Sequence, residues 1–440
     1  MDYCREMLAF IDQSPTCFHV IANLKERLTG AGFEELSERQ EWRMRAGGSY
    51  YVIRNDSSLI AFRIPEDEPR GFHMAAAHSD SPCFKIKEKP ETEKEGHYVS
   101  LNVEKYGGMI LSTWLDRPLS VAGRIAVRDP DVADAGRIVT KLVNIDRDLL
   151  VIPNVAIHMN REMNKGVEYN PQVDMQPLYG ESADREGGAR GMLSEEIGRE
   201  AGVAPEDILG QDLFLYARDR GRVIGREGEY VLSPRLDDLQ CVYAAMEALL
   251  TSVPKEYISL CAVFDNEEVG SGTGQGADST FLEDVLQRVC SDLSGQWPGW
   301  EKEHTGTLLK RLIADSFLIS ADNAHAVHPN HPETADPTNR PFLNGGIVIK
   351  YHGGQKYTTD AVSAARMKDL CRRAGVPFQT YANRSDIAGG STLGNISTAH
   401  VSVSSVDIGL PQLAMHSAVE TAGARDTEYA VRALQFFWAE

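Results

Sequence analysis

One apolar stretch followed at once by acidic residues constrains this chain more than any other feature. Residues 257–264 read Tyr-Ile-Ser-Leu-Cys-Ala-Val-Phe, and Asp-Asn-Glu-Glu comes next. The β-favouring apolar run predicts a buried strand, and open α/β sheets carry their sites at the carboxyl ends of such strands. Adjacent glutamates leaving that strand, Glu267 and Glu268, repel each other unless they face a cation or differ in protonation. The stretch predicts a site at a sheet edge, although by itself it also fits a solvated acidic turn.

Strand and helix patterns alternate at both ends of the chain, and this alternation predicts an α/β fold with a mostly parallel sheet sandwiched by helices. A central portion instead has short alternating segments, which predict a β-rich insertion. We therefore expect a discontinuous α/β domain at 1–89 and 229–440 and an inserted domain at 90–228. In the first domain we predict strands at 49–54, 58–64, 71–77, 257–264, 316–321, 346–350, 377–382 and 399–406, and helices at 2–12, 19–31, 238–250, 279–293, 303–311, 359–374 and 417–436. In the insertion we predict strands at 98–105, 120–128 and 136–145, a helix near 191–201 and a long loop at 160–191.

Composition narrows the possible partners and compartment. The 440 residues carry a net charge of −19, which argues against nucleic acid and anionic membranes as partners. No apolar run reaches transmembrane length, and the start lacks the pattern of a secretory signal. Seven scattered cysteines without a Cys-x-x-Cys pair are typical of reduced thiols in a cytosolic protein. We expect a cytoplasmic protein.

Polar residues capable of metal binding also follow other predicted strands. His78 and Asp80 end the run 71–77, and Asp322 ends the run 317–321. Asp237 lies at the start of a predicted helix, and His416 precedes the last one. Each has an ordinary alternative, namely a turn residue, a helix N-cap or a structural histidine.

Taken together, these residues match a pair of cation sites that share one carboxylate. Mixed nitrogen and oxygen ligands suit zinc, and two metals about 3.5–4 Å apart can activate a water molecule for hydrolysis. A carboxylate behind an imidazole, as Asp80 would lie behind His78, fixes the ring for metal binding. Glu267, without a metal of its own, would be the general base. One cation would take His78, Asp237 and Asp322, and the other would take Asp237, Glu268 and His416.

Several motifs in order resemble those of the M18 metalloaminopeptidases, the aspartyl aminopeptidase family. The resemblance extends over essentially the whole chain, from Ser14-Pro-Thr-Cys-Phe-His onward. It implies a dinuclear zinc aminopeptidase, in which cobalt or manganese can replace zinc, with Asp80 as the orienting aspartate and Glu267 as the catalytic base. It also implies that the insertion is a dimerisation domain within a homododecamer. The motifs are His78-Ser-Asp-Ser-Pro, Pro234-Arg-Leu-Asp-Asp-Leu, Asp265-Asn-Glu-Glu-Val-Gly-Ser, Asp322-Asn-Ala-His-Ala-Val-His-Pro-Asn and Met415-His-Ser.

The same resemblance suggests which residues contact the peptide substrate. His158 matches a histidine that reaches the active site of a neighbouring subunit, although it could also simply end a buried strand. Lys350, Tyr357 and His325 match positions in or near the side-chain pocket. A buried lysine would favour N-terminal Asp or Glu, but Lys350 could also snorkel at a strand end, and some relatives prefer apolar residues. The stretch 384–394 resembles a Gly-rich loop of the active site.

The sequence supports other functions less well. Gly270, Gly272 and Gly274 follow a strand, but their spacing is not that of a dinucleotide site and acidic residues stand where pyrophosphate would bind. No Lys-Ser/Thr pair follows these glycines as in a phosphate-binding loop. An inactive self-assembling relative would not need the complete ligand set. A carboxypeptidase or deacylase with paired metals is excluded only by the motifs peculiar to the family.

Overall fold

The computed structural model describes residues 2–128, 137–182, 188–390 and 392–440. The chain forms two compact units. The first contains the residues up to Asp80, Gly221–Met415 and Glu420–Glu440, and the second contains Ser81–Arg220 and His416–Val419.

Twenty strands and nine α-helices are found in the described residues. The strands are β1 Glu34–Glu35, β2 Ser49–Arg54, β3 Ser58–Arg63, β4 Gly71–His78, β5 Cys83–Lys94, β6 Tyr98–Tyr106, β7 Leu119–Arg128, β8 Ile138–Asn144, β9 Leu178–Glu181, β10 Ile208–Ala217, β11 Arg222–Ile224, β12 Tyr230–Ser233, β13 Tyr257–Phe264, β14 Phe317–Ala321, β15 Ala324–His325, β16 Ile347–Tyr351, β17 Phe378–Ala382, β18 Ser404–Gly409, β19 Pro411–Leu413 and β20 Glu420–Gly423. The helices are α1 Tyr3–Asp12, α2 Cys17–Gly30, α3 Met192–Ala201, α4 Leu236–Thr251, α5 Phe281–Asp292, α6 Thr305–Ala314, α7 Ala361–Ala374, α8 Leu393–His400 and α9 Asp426–Trp438.

The first unit is built on a nine-stranded sheet with the order β1-β2-β3-β13-β4-β14-β18-β16-β17. Its central strands β13, β4, β14 and β18 are all parallel to their neighbours in that group. Because parallel strands end at the same edge, the carboxyl ends of β13, β4 and β14 lie side by side. This confirms the predicted α/β class and its mostly parallel sheet.

Both faces of this sheet are covered by helices. Along β4, Ala75 and Ala77 belong to one apolar core, whereas Met74 and Ala76 belong to another. This alternation follows from the two-residue period of a strand. Helices α1, α2, α4, α7 and α9 contribute to the first core, and α5, α6 and α8 to the second. Burial on both faces explains why β4 and β13 are nearly continuous apolar runs.

The second unit contains a six-stranded antiparallel sheet with the order β8-β7-β10-β5-β6-β9. Helix α3 packs Leu193 and Ile197 into its core. The insertion is therefore rich in β structure, as predicted. Strand β5 runs through residue 89, the position at which the sequence suggested a domain boundary. The predicted strand 136–145 includes residue 136, which lies outside the described residues. The predicted loop 160–191 includes residues 183–187, which also lie outside them.

Two predicted elements near the C-terminus are wrong. Residues 399–406 do not form one strand, because α8 ends at His400 and β18 begins at Ser404. The last helix begins at Asp426 rather than at 417, since β20 precedes it and pairs with the distant β12. A further sheet with the order β11-β12-β20-β19-β15 was not predicted. No helix in the described part of the chain has the length and apolar character needed to cross a membrane.

Candidate metal centre

The candidate site of the first unit lies where three parallel strands end. His78 is the last residue of β4, Asp322 follows β14 directly, and Glu267 begins a short turn just after β13. Asp237 lies at the start of α4, after β12 has ended at Ser233, and has non-helical backbone angles, φ −80° and ψ 109°. The local sequence explains the positions of His78, Glu267 and Asp322, because each follows an apolar strand that ends at this edge of the nine-stranded sheet.

These side chains converge closely enough to hold a cation. Ligand atoms of His78, Asp237 and Asp322 all lie within 4.8 Å of one another, and so do those of His78, Glu267 and Glu268. Nε2 of His78 is 3.5 Å from Oδ1 of Asp237 and 4.0 Å from Oδ1 of Asp322. One imidazole nitrogen with several carboxylate oxygens is a donor set that suits zinc. The residues therefore fit a divalent metal.

Asp80 connects the histidine to the glutamate turn. Nδ1 of His78 lies 3.1 Å from the backbone oxygen of Asp80 and 3.3 Å from its Oδ1. With its proton on Nδ1, the ring directs the lone pair of Nε2 toward Asp237. The Asp80 carboxylate also accepts hydrogen bonds from the backbone N–H groups of Glu267 and Glu268, each at 3.1 Å. The sequence predicted the contact of Asp80 with His78 but not its hydrogen bonds with the backbone of the two glutamates.

The electrostatics of the cluster reflect several acidic groups buried together. Burial raises the pKa of Glu267 to about 8, and Asp322 adds to the effect while His78 opposes it. Burial also raises the pKa of Asp322 to about 6, against the opposing charge of Lys350. Burial alone would lower the pKa of His78, but its bonds to Asp237 and Asp80 raise it well above its ordinary value. A divalent cation would relieve this repulsion, which supports the fit to a metal.

Three further buried residues support the cluster and were not predicted. Oδ2 of Asp238 accepts a hydrogen bond from the backbone N–H of His78 at 3.2 Å. Oε2 of Glu420 accepts one from the N–H of Asp237 at 3.0 Å. Asn323 follows Asp322 directly and is also buried. Proximity in sequence to a candidate ligand is the one signal that could have identified Asp238 and Asn323.

Lys350 and Tyr357 lie against the cluster, whereas His325 is exposed. Nζ of Lys350 is 3.3 Å from Oδ2 of Asp322 and 3.0 Å from the backbone oxygen of Asn323. Its side chain is 3% exposed, so the ammonium does not snorkel into solvent. The same Nζ lies 5.3 Å from the ring centroid of Tyr357, which is buried. His325 is on β15, with its ring 6.0 Å from that of Tyr381.

Two predicted histidines belong to the second unit. His158 is exposed in a turn, so it does not end a buried strand. His416 has a positive φ of 68°, and its Nδ1 lies 2.7 Å from the backbone oxygen of Gly108. A ring that donates from Nδ1 carries its lone pair on Nε2, the arrangement common in metal-binding histidines.

The predicted loop 384–394 includes Ser391, which lies outside the described residues, and it ends within α8. In its described part, Nη2 of Arg384 is 2.7 Å from Oδ2 of Asp386. This contact lies at the start of the loop. The expected contact of the loop with a substrate stays a prediction.

Comparisons with known proteins show similarity over nearly the whole chain. The sequence model of a family described as Aminopeptidase I zinc metalloprotease (M18) matches residues 10–438. A probable M18 family aminopeptidase 2 from Clostridium acetobutylicum is 44% identical over 443 residues, covering 100% of this chain and 99% of that protein. A protein with the same description from Pseudomonas paraeruginosa is 41% identical over 436 residues, covering 98% of this chain and 97% of its own length.

Solved structures are similar as well. A chain from a cryo-EM structure of the Ape4 and Nbr1 complex matches with a TM-score of 0.92 and 35% identity, covering 100% of this chain and 85% of that one. A structure of the S. cerevisiae mApe1 dodecamer matches with a TM-score of 0.85 and 27% identity, covering 99% and 96%. The similarity therefore extends over the entire fold, including both units.

Proposed function

The chain belongs to the M18 family of zinc metallo-aminopeptidases, and from this premise we propose that it uses two zinc ions to remove Asp or Glu from the N-termini of peptides. The observation that carries the proposal is the convergence of His78, Asp237 and Asp322, with ligand atoms within 4.8 Å of one another. An inactive relative would have no need to keep these ligands together with Glu267.

The metal ligands are divided between two positions in this proposal. His78, Asp237 and Asp322 hold one ion, and Asp237 is shared with a second ion that Glu268 and His416 complete. The proton that His416 Nδ1 donates to Gly108 supports a ligand role for Nε2. Cobalt or manganese can replace zinc at such mixed sites. When bound, zinc would polarise the scissile carbonyl and lower the pKa of a water molecule.

Glu267 is the general base of the proposed reaction. Its carboxylate accepts a proton from the attacking water and passes it to the departing amine. The hydrogen bond from its backbone N–H to Asp80 holds the turn that carries it. Asp80 at the same time orients the ring of His78, so one carboxylate positions both a ligand and the base.

The preference for acidic residues depends on Lys350. An ammonium group has three donors, and the contacts with Asp322 and the backbone of Asn323 use two of them. The third can donate a charge-assisted hydrogen bond to a substrate carboxylate, beside the ring of Tyr357. We assign His325 to the outer part of the same pocket, because it is the exposed residue of β15.

One observation favours a different preference. Because Lys350 already forms an ion pair with Asp322, its charge is partly neutralised before any substrate arrives. A pocket with a neutralised lysine would select neutral or apolar N-terminal residues instead. The alternative function is therefore an M18-type aminopeptidase with that specificity.

Self-association through the second unit completes the proposal. The segment around His158 exposes apolar side chains, with Val155 53%, Ile157 46% and Met159 84% accessible. A relative is solved as a dodecamer, and we propose the same assembly here, with His158 contributing to the active site of a neighbouring copy. Size-exclusion chromatography with light scattering tests it. A mass near twelve chains supports the dodecamer, and a stable monomer that retains full activity contradicts it.

A panel of aminoacyl-p-nitroanilides tests the activity itself. The Asp and Asn substrates form a matched pair, because they differ in charge but scarcely in size. With zinc, cobalt or manganese added at defined concentrations, the proposal expects a higher kcat/KM for Asp than for Asn. A higher value for Leu than for Asp supports the alternative specificity. No hydrolysis with any of these metals would indicate an inactive, self-assembling relative.

A further inference from the structure

The buried side chain of Asn323 forms hydrogen bonds with residues from several parts of the chain. It is 2% exposed and follows Asp322 at the end of β14. Its Nδ2 donates to the backbone oxygen of Leu236 at 3.0 Å, and it also lies within hydrogen-bonding distance of two glutamine oxygens. Its Oδ1 accepts from Sγ of Cys241 at 3.2 Å. The two glutamine oxygens near Nδ2 are Oε1 of Gln240 at 3.2 Å and Oε1 of Gln412 at 2.9 Å.

The contact with Leu236 connects the two candidate aspartates. Leu236 directly precedes Asp237, and Asn323 directly follows Asp322. The hydrogen bond between Asn323 and Leu236 therefore joins the neighbours of the two aspartates. A backbone carbonyl can only accept a hydrogen bond, and this fixes the NH₂ side of the amide toward Leu236. The side chain therefore acts as a fixed cross-link between β14 and the start of α4.

The two ends of this cross-link are held by different contacts. On the Asp322 side, the backbone N–H of Asp322 donates to Ile408 at 3.1 Å, and that of Ala324 donates to Leu410 at 2.8 Å. On the other side, Asp237 has non-helical backbone angles and lies before the regular part of α4, and its N–H donates to Oε2 of Glu420 at 3.0 Å. Asn323 thus joins the chain after β14 to a non-helical segment that Glu420 also contacts.

We infer that Asn323 is a positioning residue that sets the spacing of Asp237 and Asp322 for a metal ion. This inference rests on the proposed zinc site. It assigns Asn323 no contact with substrate or metal. Its action passes through Leu236 to Asp237, while its backbone oxygen accepts a hydrogen bond from Lys350, which also contacts Asp322.

The test compares Asn323→Ala with a matched control, Asn344→Ala. Asn344 also bridges distant backbone segments, donating to Glu229 at 2.7 Å and accepting from Arg425 at 3.0 Å, but it does not adjoin a candidate ligand. Zinc affinity is measured by competition with a chromogenic chelator, and thermal unfolding is followed with and without zinc. Asn323→Ala is expected to bind zinc about 10–100-fold more weakly, with activity restored at correspondingly higher zinc. Asn344→Ala is expected to lower the Tm of both forms and to leave zinc affinity unchanged.

The outcomes separate the inference from the proposed function. If the unmodified chain binds no zinc, the proposed metal site fails. If it binds zinc and Asn323→Ala binds equally well, the role of Asn323 is refuted and its hydrogen bonds serve only the fold. If Asn323→Ala does not fold, Asn323→Leu keeps nearly the same side-chain size and still removes the donor to Leu236. A several-fold loss of zinc affinity in that variant supports the inference, and an unchanged affinity overturns it.

Discussion

Replacing Glu267 with Gln tests the proposed base with little disturbance of the site. The backbone N–H of Glu267 donates to Asp80 at 3.1 Å, so its turn is held by the main chain rather than by the side chain. Gln has nearly the same shape as Glu. The substitution removes one negative charge and the ability to accept a proton.

The expected loss follows from the role of the side chain. General-base catalysis contributes about 10²–10⁴-fold, which corresponds to about 3–5 kcal/mol of transition-state stabilisation at about 1.36 kcal/mol per tenfold change in rate. Because Glu267 is not one of the assigned ligands, zinc content is expected to stay at the level of the unmodified chain. KM is expected to change little, since the base acts on water rather than on the bound peptide.

The assay measures kcat and KM on an Asp anilide together with zinc per chain by mass spectrometry. Glu268→Gln is the matched control, because it changes the adjacent glutamate, which we assign as a ligand, and it is expected to lower zinc content as well as kcat. A Glu267→Gln enzyme with full zinc and kcat within threefold of the original would refute the reasoning. Loss of zinc in both variants would mean that Glu267 is a ligand and that the base lies elsewhere.

Three further predictions concern specificity, the role of His158 in the active site, and pH. Lys350→Leu is expected to abolish the preference for Asp over Asn anilide, and a preserved preference would mean that another group provides it; zinc affinity is measured in parallel because Lys350 contacts Asp322. His158→Phe is expected to lower kcat about 10²-fold with zinc and oligomer mass unchanged, and an unchanged rate would remove His158 from the site. The pKa of Glu267 is raised to about 8 from an ordinary 4.5, so its proton is bound more tightly in the folded chain, and the resulting stability is lost as pH rises toward 8. The Tm of chelator-treated protein should therefore fall more steeply from pH 6 to 8 in the original chain than in Glu267→Gln, and parallel curves would contradict this assignment.

The strands around the site were predictable because each has a clear pattern in its own sequence. Strands β4, β13 and β14 are apolar runs that end in polar residues, and their carboxyl ends do meet at one edge. The start of the last helix was not predictable in the same way. Residues 420–423 form β20 because they pair with β12, a partner far away in sequence. The strands of the small five-stranded sheet are too short to carry a periodic pattern.

The supporting residues of the site were missed for a related reason. His78 and Asp322 are recognisable from their positions after apolar runs, and Asp237 from its position at the start of a predicted helix. Asn323 and Glu420 matter through hydrogen bonds to Leu236 and to the N–H of Asp237, which only the tertiary structure reveals. The ion pair of Lys350 with Asp322 is likewise invisible in the sequence, and it alters what a buried lysine implies about specificity.

Anomalous diffraction from zinc-loaded crystals tests the central claim most directly. Two zinc peaks in each chain are expected. The first should be ligated by His78, Asp237 and Asp322, and the second by Asp237, Glu268 and His416. A single peak, or zinc ligated by residues other than these, would contradict the two-metal mechanism.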